Sequence, residues 1–205
     1  MLDRYAINLI RPLLQAAAHG LARAGVGANT VTLVGFGTGL IAAILIASHA
    51  YLAGAIALFF SRFCDGLDGA VARQTSPTDA GGFLDITLDF LFYASIPLAF
   101  AVANPADNAL PAAVLLAAFI GTGTSFLAFA VLAAKQGLAS LDYPDKSFYF
   151  LGGLTEATET LAFFAAMCLW PAQFGLLAYT FAALCAVTTA TRIVWGWRTF
   201  SKPST

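Results

Sequence analysis

Charge is scarce in this chain. Asp, Glu, Lys and Arg make up 10% of its 205 residues, hydrophobic residues 60%, and the mean hydropathy is +0.80. Soluble domains carry about a quarter charged residues, so that class is excluded and an integral membrane protein is indicated. Cysteine is sparse as well. Cys64, Cys168 and Cys185 lie in apolar segments without metal-ligand spacing, which excludes a disulfide framework or a cysteine zinc site and leaves packing roles. His19 and His49 stand alone near the ends of apolar stretches and read as interfacial. There is no internal repeat and no low-complexity linker, and nothing calls for a nucleic-acid partner. The N-terminus lacks a basic region followed by a short apolar core and a small-residue cleavage site, so no signal peptide is expected and the mature chain should begin at Met1.

What remains is apolar sequence. Taking ~20 helical residues per crossing, six spans can be drawn at about 30–49, 51–73, 81–103, 109–134, 148–169 and 172–196. The expected fold is an all-α integral membrane protein with six transmembrane helices, forming a single domain over 1–205. Breaks at Ser48-His49-Ala50, Asn104-Pro105-Ala106-Asp107 and Trp170-Pro171 divide the spans into hairpins. The longest polar break, from Lys135 to Ser147, contains Gly137, Pro144, Asp142 and Asp145 and reads as a cytoplasmic loop. Ahead of the first span, Leu2, Tyr5, Ala6, Leu9, Ile10, Leu13, Leu14 and Ala17 recur at three- and four-residue intervals. This predicts a short amphipathic helix over 2–18, lying in the membrane interface or packed on the ends of the bundle. Arg4, Arg11, Arg23, Arg73, Lys135, Lys146, Arg198 and Lys202 all fall on one side of this scheme, and the opposite loops hold no Lys or Arg. The positive-inside rule then places the chain in the cytoplasmic membrane with both termini cytoplasmic. Arg62 and Arg192 fall within spans, toward the same side. Tyr51 and Trp170 at one boundary, and Tyr149, Trp195 and Trp197 at the other, fit aromatic belts.

Against this background the acids stand out. Asp65 and Asp68, then Asp85 and Asp89, lie inside the second and third spans of a chain with 11 acidic residues. A carboxylate at the bilayer centre costs about 2.5 to 3.5 kcal/mol, so these four must face a protein interior or a wet cavity. Residues three and four apart share a helix face, so each pair lies on one stripe. Counting from Arg73 and from Ala80, at about 1.5 Å per residue, sets Asp68 and Asp85 at similar depth, about 7 to 8 Å below the cytoplasmic ends. Four carboxylates in one pocket repel one another unless cations bind. Oxygen-only ligands suit hard divalent ions, with Mg²⁺ typically shared between carboxylates, waters and substrate phosphates. Metal-assisted chemistry at a phosphoryl group follows; a cation path in a small coupled transporter is the rival use of the same acids. Gly66 and Gly69 offer either a bare strip for ligand approach or tight helix packing. Arg73 either clamps a phosphate or snorkels to headgroups.

The full pattern is Asp65-x-x-Asp68-Gly69-x-x-Ala72-Arg73, seven residues, then Gly81-x-x-x-Asp85-x-x-x-Asp89. It resembles the signature of the CDP-alcohol phosphotransferase family at every fixed position. The resemblance implies transfer of a phosphatidyl-type group from a CDP-linked lipid, CDP-diacylglycerol foremost, to an alcohol, with release of CMP. It further implies two Mg²⁺ or Mn²⁺ ions on Asp65, Asp68, Asp85 and Asp89, and Asp89 as general base. Gly69, Ala72, Arg73 and Gly81 would line the donor site, and the protein would be a homodimer among membrane lipids.

The acceptor is less legible. Glu156 and Glu159 lie one turn apart in the fifth span among Thr155, Thr158 and Thr160, and Arg192 follows Thr188, Thr189 and Thr191 in the sixth. Either the glutamates receive a cationic acceptor, or Lys135, Lys146 and Arg192 receive a phosphorylated one, or a Glu to Arg pairing fixes helix packing. Asn29 is expected to cap the first span. Gly35-x-x-x-Gly39 and the run Gly121-Thr122-Gly123-Thr124-Ser125 mark close helix contacts, lining a cavity or a dimer seam.

Overall fold

The computed structural model describes residues 3–137 and 155–201, with side chains described from Ile10 onward. Among the described residues the regular structure is helical: α1 (Asp3–Arg23), α2 (Ala28–Ala47), α3 (Tyr51–Gln74), α4 (Asp79–Ala103), α5 (Pro105–Lys135), α6 (Ala157–Leu169) and, after a single 3₁₀ turn at Pro171–Gln173, α7 (Phe174–Phe200). By length and composition α2, α4, α5 and the Pro171–Phe200 segment can each cross a membrane. α3 is of similar length, at 24 residues, but carries Arg62, Asp65, Asp68 and Arg73 in its second half. α6 has 13 described residues, about 20 Å at 1.5 Å each. The expected fifth span starts earlier, at about 148, in residues outside those described, as do Tyr149 and the break from 138 to 147.

Local chemistry sets the boundaries. The α2–α3 turn closes on His49, a left-handed residue (φ 63°) whose Nδ1 meets the Tyr51 hydroxyl at 2.9 Å. Asn104 ends α4 and begins α5, with Pro105 in the first turn, where no amide hydrogen is needed. Its Nδ2 donates to Asp107 Oδ2 at 2.8 Å, and Asn108 Nδ2 donates back to Phe100 O at 3.0 Å, closing the hairpin. Thr78 caps α4 by accepting from Gly81 N at 3.1 Å. At α2 the expected cap is corrected: Gly27 occupies the N-cap without a side-chain bond, and Asn29 lies inside the helix facing Gly81.

The main core joins α2 to α7 through fully buried Ile46, Leu58, Phe92, Ile96, Phe100, Phe164, Phe174 and Phe181. Phe100 stacks on Phe174 at 4.6 Å between centroids, and Phe163 on Phe181 at 4.5 Å. α1 reaches Arg23, about a turn beyond its expected end, and buries Leu14 and Ala18 against Cys64, Leu67, Ala70 and Val71 of α3. It is therefore packed on the bundle, while Ile10 and Leu13 remain exposed, as an interfacial face requires. Gly66 serves this packing: a Cβ there would lie 3.3 Å from Leu14. Outward-facing Leu33, Ile44, Leu52, Ile56, Leu98, Leu110, Ile120 and Leu176 give the bundle the apolar surface of a membrane protein.

α2 packs closely against both α3 and α4, which diverge from one another around it. Glycines permit this: a Cβ on Gly35 would stand 2.9 Å from Cys64 Cβ, and one on Gly39 would stand 2.5 Å from the Phe92 ring. Gly35→Ala therefore has to push α2 off α3, and a loss of about 1 to 3 kcal/mol is expected, typical of an overpacked interior. Thermal unfolding in detergent would test this, and an unchanged midpoint would contradict the close approach.

Candidate active site

Where α3 and α4 splay around α2, they leave a small cleft. α2 supplies Thr32, Gly35 and Phe36, α3 supplies Ser61, Arg62, Asp65 and Asp68, and α4 supplies Asp85, Leu88 and Asp89. All four expected aspartates thus face one space from two helices. The spacing explains it: positions 61, 65 and 68 share a stripe of α3, and 85 and 89 a stripe of α4. The floor is tied together by Ser61 Oγ, which donates to Gly35 O at 2.7 Å across the α2–α3 contact.

Asp68 is buried, 4% exposed, and its Oδ2 has no hydrogen-bond partner among the described residues. A buried carboxylate oxygen left open into an acid-lined cleft is costly unless a donor or cation completes it. The Asp65 and Asp89 side chains are about a third exposed. Between them lies Arg62, whose side chain is 8% exposed. Its Nη1 donates to Asp89 Oδ1 and stands 3.3 Å from Asp65 Oδ1. Its Nη2 is 3.4 Å from Ser61 Oγ, and the guanidinium lies 3.8 Å above the Phe92 ring and 5.4 Å from that of Tyr93. Among the described residues no three acidic, His or Cys side chains are drawn into a closed ligand set. The expected convergence is accordingly of the cleft lining, with Arg62 interposed between Asp65 and Asp89. Oxygen donors on two facing helices, one of them orphaned and buried, fit a hard divalent ion in kind.

The other donor-site residues lie toward the α3–α4 turn, outside the cleft lining. Arg73 folds back over Gly69, its Nη1 3.4 Å from where a Gly69 Cβ would sit, and Ala72 is half-buried beside it. Gly81 brings α4 against α2, since a Cβ there would be 2.9 Å from Asn29 Oδ1.

The described acceptor candidates lie on α5, α6 and α7. Glu156 and Glu159 sit at the start of α6, where they form a reciprocal capping box, with Glu156 N donating to Glu159 Oε2 at 3.1 Å. Arg192 bridges α7 to α5 by donating from Nη1 to Thr122 O at 3.0 Å, and it feels the charge of Glu156. Thr155 Oγ donates to Thr188 Oγ at 3.1 Å beside this group. Lys135 is exposed in the last turn of α5, and Lys146 lies outside the described residues. Sequence reasoning missed Thr32, Ser61 and the engagement of Arg62. Helical spacing from Asp65 was a usable signal for the last two, while the Thr32 contribution depends on how α2 packs.

Residues 26–195 match the family model for CDP-alcohol phosphatidyltransferase. The chain belongs to that family. It is a transferase acting on a phosphate group and a multi-pass membrane protein. The Escherichia coli inner membrane protein YnjF is 51% identical to this transferase over 97% of each chain. An archaetidylinositol phosphate synthase of Methanothermobacter thermautotrophicus is 42% identical over 42% of this chain and 45% of its own length. The crystal structure of Mycobacterium tuberculosis phosphatidylinositol phosphate synthase with CDP-DAG bound shares the fold, with a TM-score of 0.71 at 21% identity over 91% of this chain and 94% of that one. The same synthase in complex with manganese and citrate gives a TM-score of 0.69 at 21% identity, covering 90% of this chain and 88% of that one.

The capping box separates two roles for Glu159. Glutamine at the same helix position keeps the bond to the Glu156 amide, whereas alanine removes it. Glu159→Gln is expected to unfold within about 0.5 kcal/mol of wild type and Glu159→Ala to lose about 0.5 to 2 kcal/mol, measured by thermal unfolding. Equal stability of the two variants would remove the capping role.

Proposed function

We propose that this transferase moves a phosphatidyl group from a CDP-linked lipid, CDP-diacylglycerol, to a phosphorylated polyol and releases CMP, in a reaction that requires divalent metal. The observation that carries the reading is the common cleft of Asp65, Asp68, Asp85 and Asp89, in a chain whose family model covers most of its length. Two ions, Mg²⁺ or Mn²⁺, held by these carboxylates would neutralise the diphosphate and polarise its phosphorus.

The chain's own part can be followed bond by bond. Asp89 accepts the proton of the acceptor hydroxyl. The hydroxyl oxygen forms a bond to the lipid-side phosphorus, the bond from that phosphorus to the bridging oxygen breaks, and the electron pair departs with CMP. Asp65, Asp68 and Asp85 hold charge opposite the diphosphate. Arg73, folded over Gly69 beside Ala72, and the close approach at Gly81 frame the nucleotide end. A lipid donor keeps its acyl chains in the bilayer and its diphosphate at the interface, the depth expected for this cleft. The protein acts as a homodimer of six-span subunits in the cytoplasmic membrane, with both termini and the cleft toward the cytoplasm and a single domain over 1–205.

For the acceptor, the roles taken by Glu156 and Glu159 in capping α6 weigh against a cationic alcohol. Arg192, with Lys135 and Lys146, supports an anionic one. The names of the inositol phosphate synthases among its relatives point the same way.

Purified protein given CDP-diacylglycerol, Mg²⁺ and inositol phosphate is expected to release CMP, with activity lost in EDTA and at least about a hundredfold lower in Asp89→Asn, the usual scale for a general base. Arg192→Gln is expected to raise the acceptor KM more than the donor KM. Substantial turnover by Asp89→Asn would remove its role as base, and stimulation by free serine, choline or unphosphorylated inositol instead would overturn the acceptor assignment.

A further inference from the structure

Arg62 Nη1 donates to Asp89 Oδ1, and the same nitrogen stands 3.3 Å from Asp65 Oδ1. Nη1 therefore occupies the position that a cation shared by those two carboxylates would occupy. Arg62 is buried to 8% exposure, its plane rests 3.8 Å above the fully buried Phe92, and Phe92 is itself wedged against Gly39 of α2. Ser61, one residue earlier, fixes the α2–α3 contact and also faces the guanidinium. Arg62 Nε has no hydrogen-bond partner among the described residues, so the group is held by charge and ring packing more than by a complete set of hydrogen bonds. Such a side chain can release its carboxylates and keep its place on the ring.

We infer that Arg62 is an internal counter-cation of the acidic cleft, which holds Asp65 and Asp89 between α3 and α4 without metal and competes with divalent ions for the same oxygens. The inference rests on the metal-dependent reading above. Its physical content is a trade. Four acids in an apolar bundle repel one another, and a fixed positive charge among them offsets part of that repulsion when no metal is bound. The same charge opposes an arriving dication. It weakens binding at the Asp65 and Asp89 side of the cleft more than at Asp68, whose open oxygen it does not reach within hydrogen-bond distance. Arg62 thereby grades the affinities of the cleft and makes it responsive to the supply of divalent ions.

The test is Mn²⁺ binding by calorimetry to the full chain in detergent, with thermal unfolding in EDTA and in Mn²⁺, for wild type, Arg62→Gln and Arg62→Met. Both substitutions retain a side chain long enough to cover Phe92. The weaker Mn²⁺ site is expected to tighten at least about tenfold in either variant, equivalent to about 1.4 kcal/mol and well within the ~4 kcal/mol that two unit charges exchange at 4 Å near a protein surface. Each variant should melt below wild type in EDTA and gain more than wild type from Mn²⁺. Unchanged or weaker Mn²⁺ binding by a folded variant would overturn the inference and leave Arg62 a helix tie. Should neither variant fold, ¹⁵N NMR of the wild-type arginine side chains decides: an Arg62 signal that shifts in step with Mg²⁺ occupancy supports competition, and one that does not overturns it. Absence of Mn²⁺ binding by wild type would instead sink the metal-dependent reading, and this inference with it.

Discussion

Placing carboxylates inside an apolar bundle is the constraint from which the rest of this structure follows. Each one would cost about 2.5 to 3.5 kcal/mol facing hydrocarbon at the bilayer centre. They are carried by helices that turn them toward each other, and those helices need something to close around. α2 fills that need. Its glycines let it sit so near α3 and α4 that Gly35 faces Cys64 and Gly39 faces Phe92 with no room for a side chain. The space left where α3 and α4 separate is the cleft. Arg62 spans it, offsetting part of the acidic charge and joining two helices that otherwise touch little.

The remainder of the chain supports this arrangement at a distance. Thr78 and Gly81 set the start of α4 close to α2, so that Asp85 and Asp89 come round to the cleft one and two turns later. α1 lies across the end of α3 where Gly66 admits Leu14, on the opposite side of the helix from the acids. The aromatic stack of Phe100 on Phe174 binds the second half of the bundle to the first, and that of Phe163 on Phe181 joins α6 to α7. A group of polar residues around Arg192, Thr122 and the α6 cap lies on the α5–α7 side and gives the molecule a second polar locality.

Much of this was legible in residue order because membrane helices obey strong local rules. Apolar runs of a set length, broken at Asn104-Pro105 and Trp170-Pro171, located the helix ends to within a few residues. The three- and four-residue spacing of Asp65, Asp68, Asp85 and Asp89 predicted a shared facing, which the cleft bears out. The errors came where a residue had two competing local uses. Asn29 has the composition of a cap but lies inside α2, because Gly27 already occupies the cap position with extended backbone. Glu156 and Glu159, inside the fifth span expected from about 148, read as costly interior charges, yet they flank the described start of α6, where acids satisfy free amides.

By itself the sequence determined the helical class, the clustering of four acids on two stripes, and a motif that placed the chain in its family. These depend on composition and on spacing along one helix, and both are written in residue order. The tertiary structure decided that α2 lies between α3 and α4, that Thr32 and Ser61 join the site, and that Arg62 meets Asp89 from 27 positions away. Those outcomes depend on how closely helices pack and in which order they surround one another. That is a property of whole surfaces, and spacing along a single helix does not encode it.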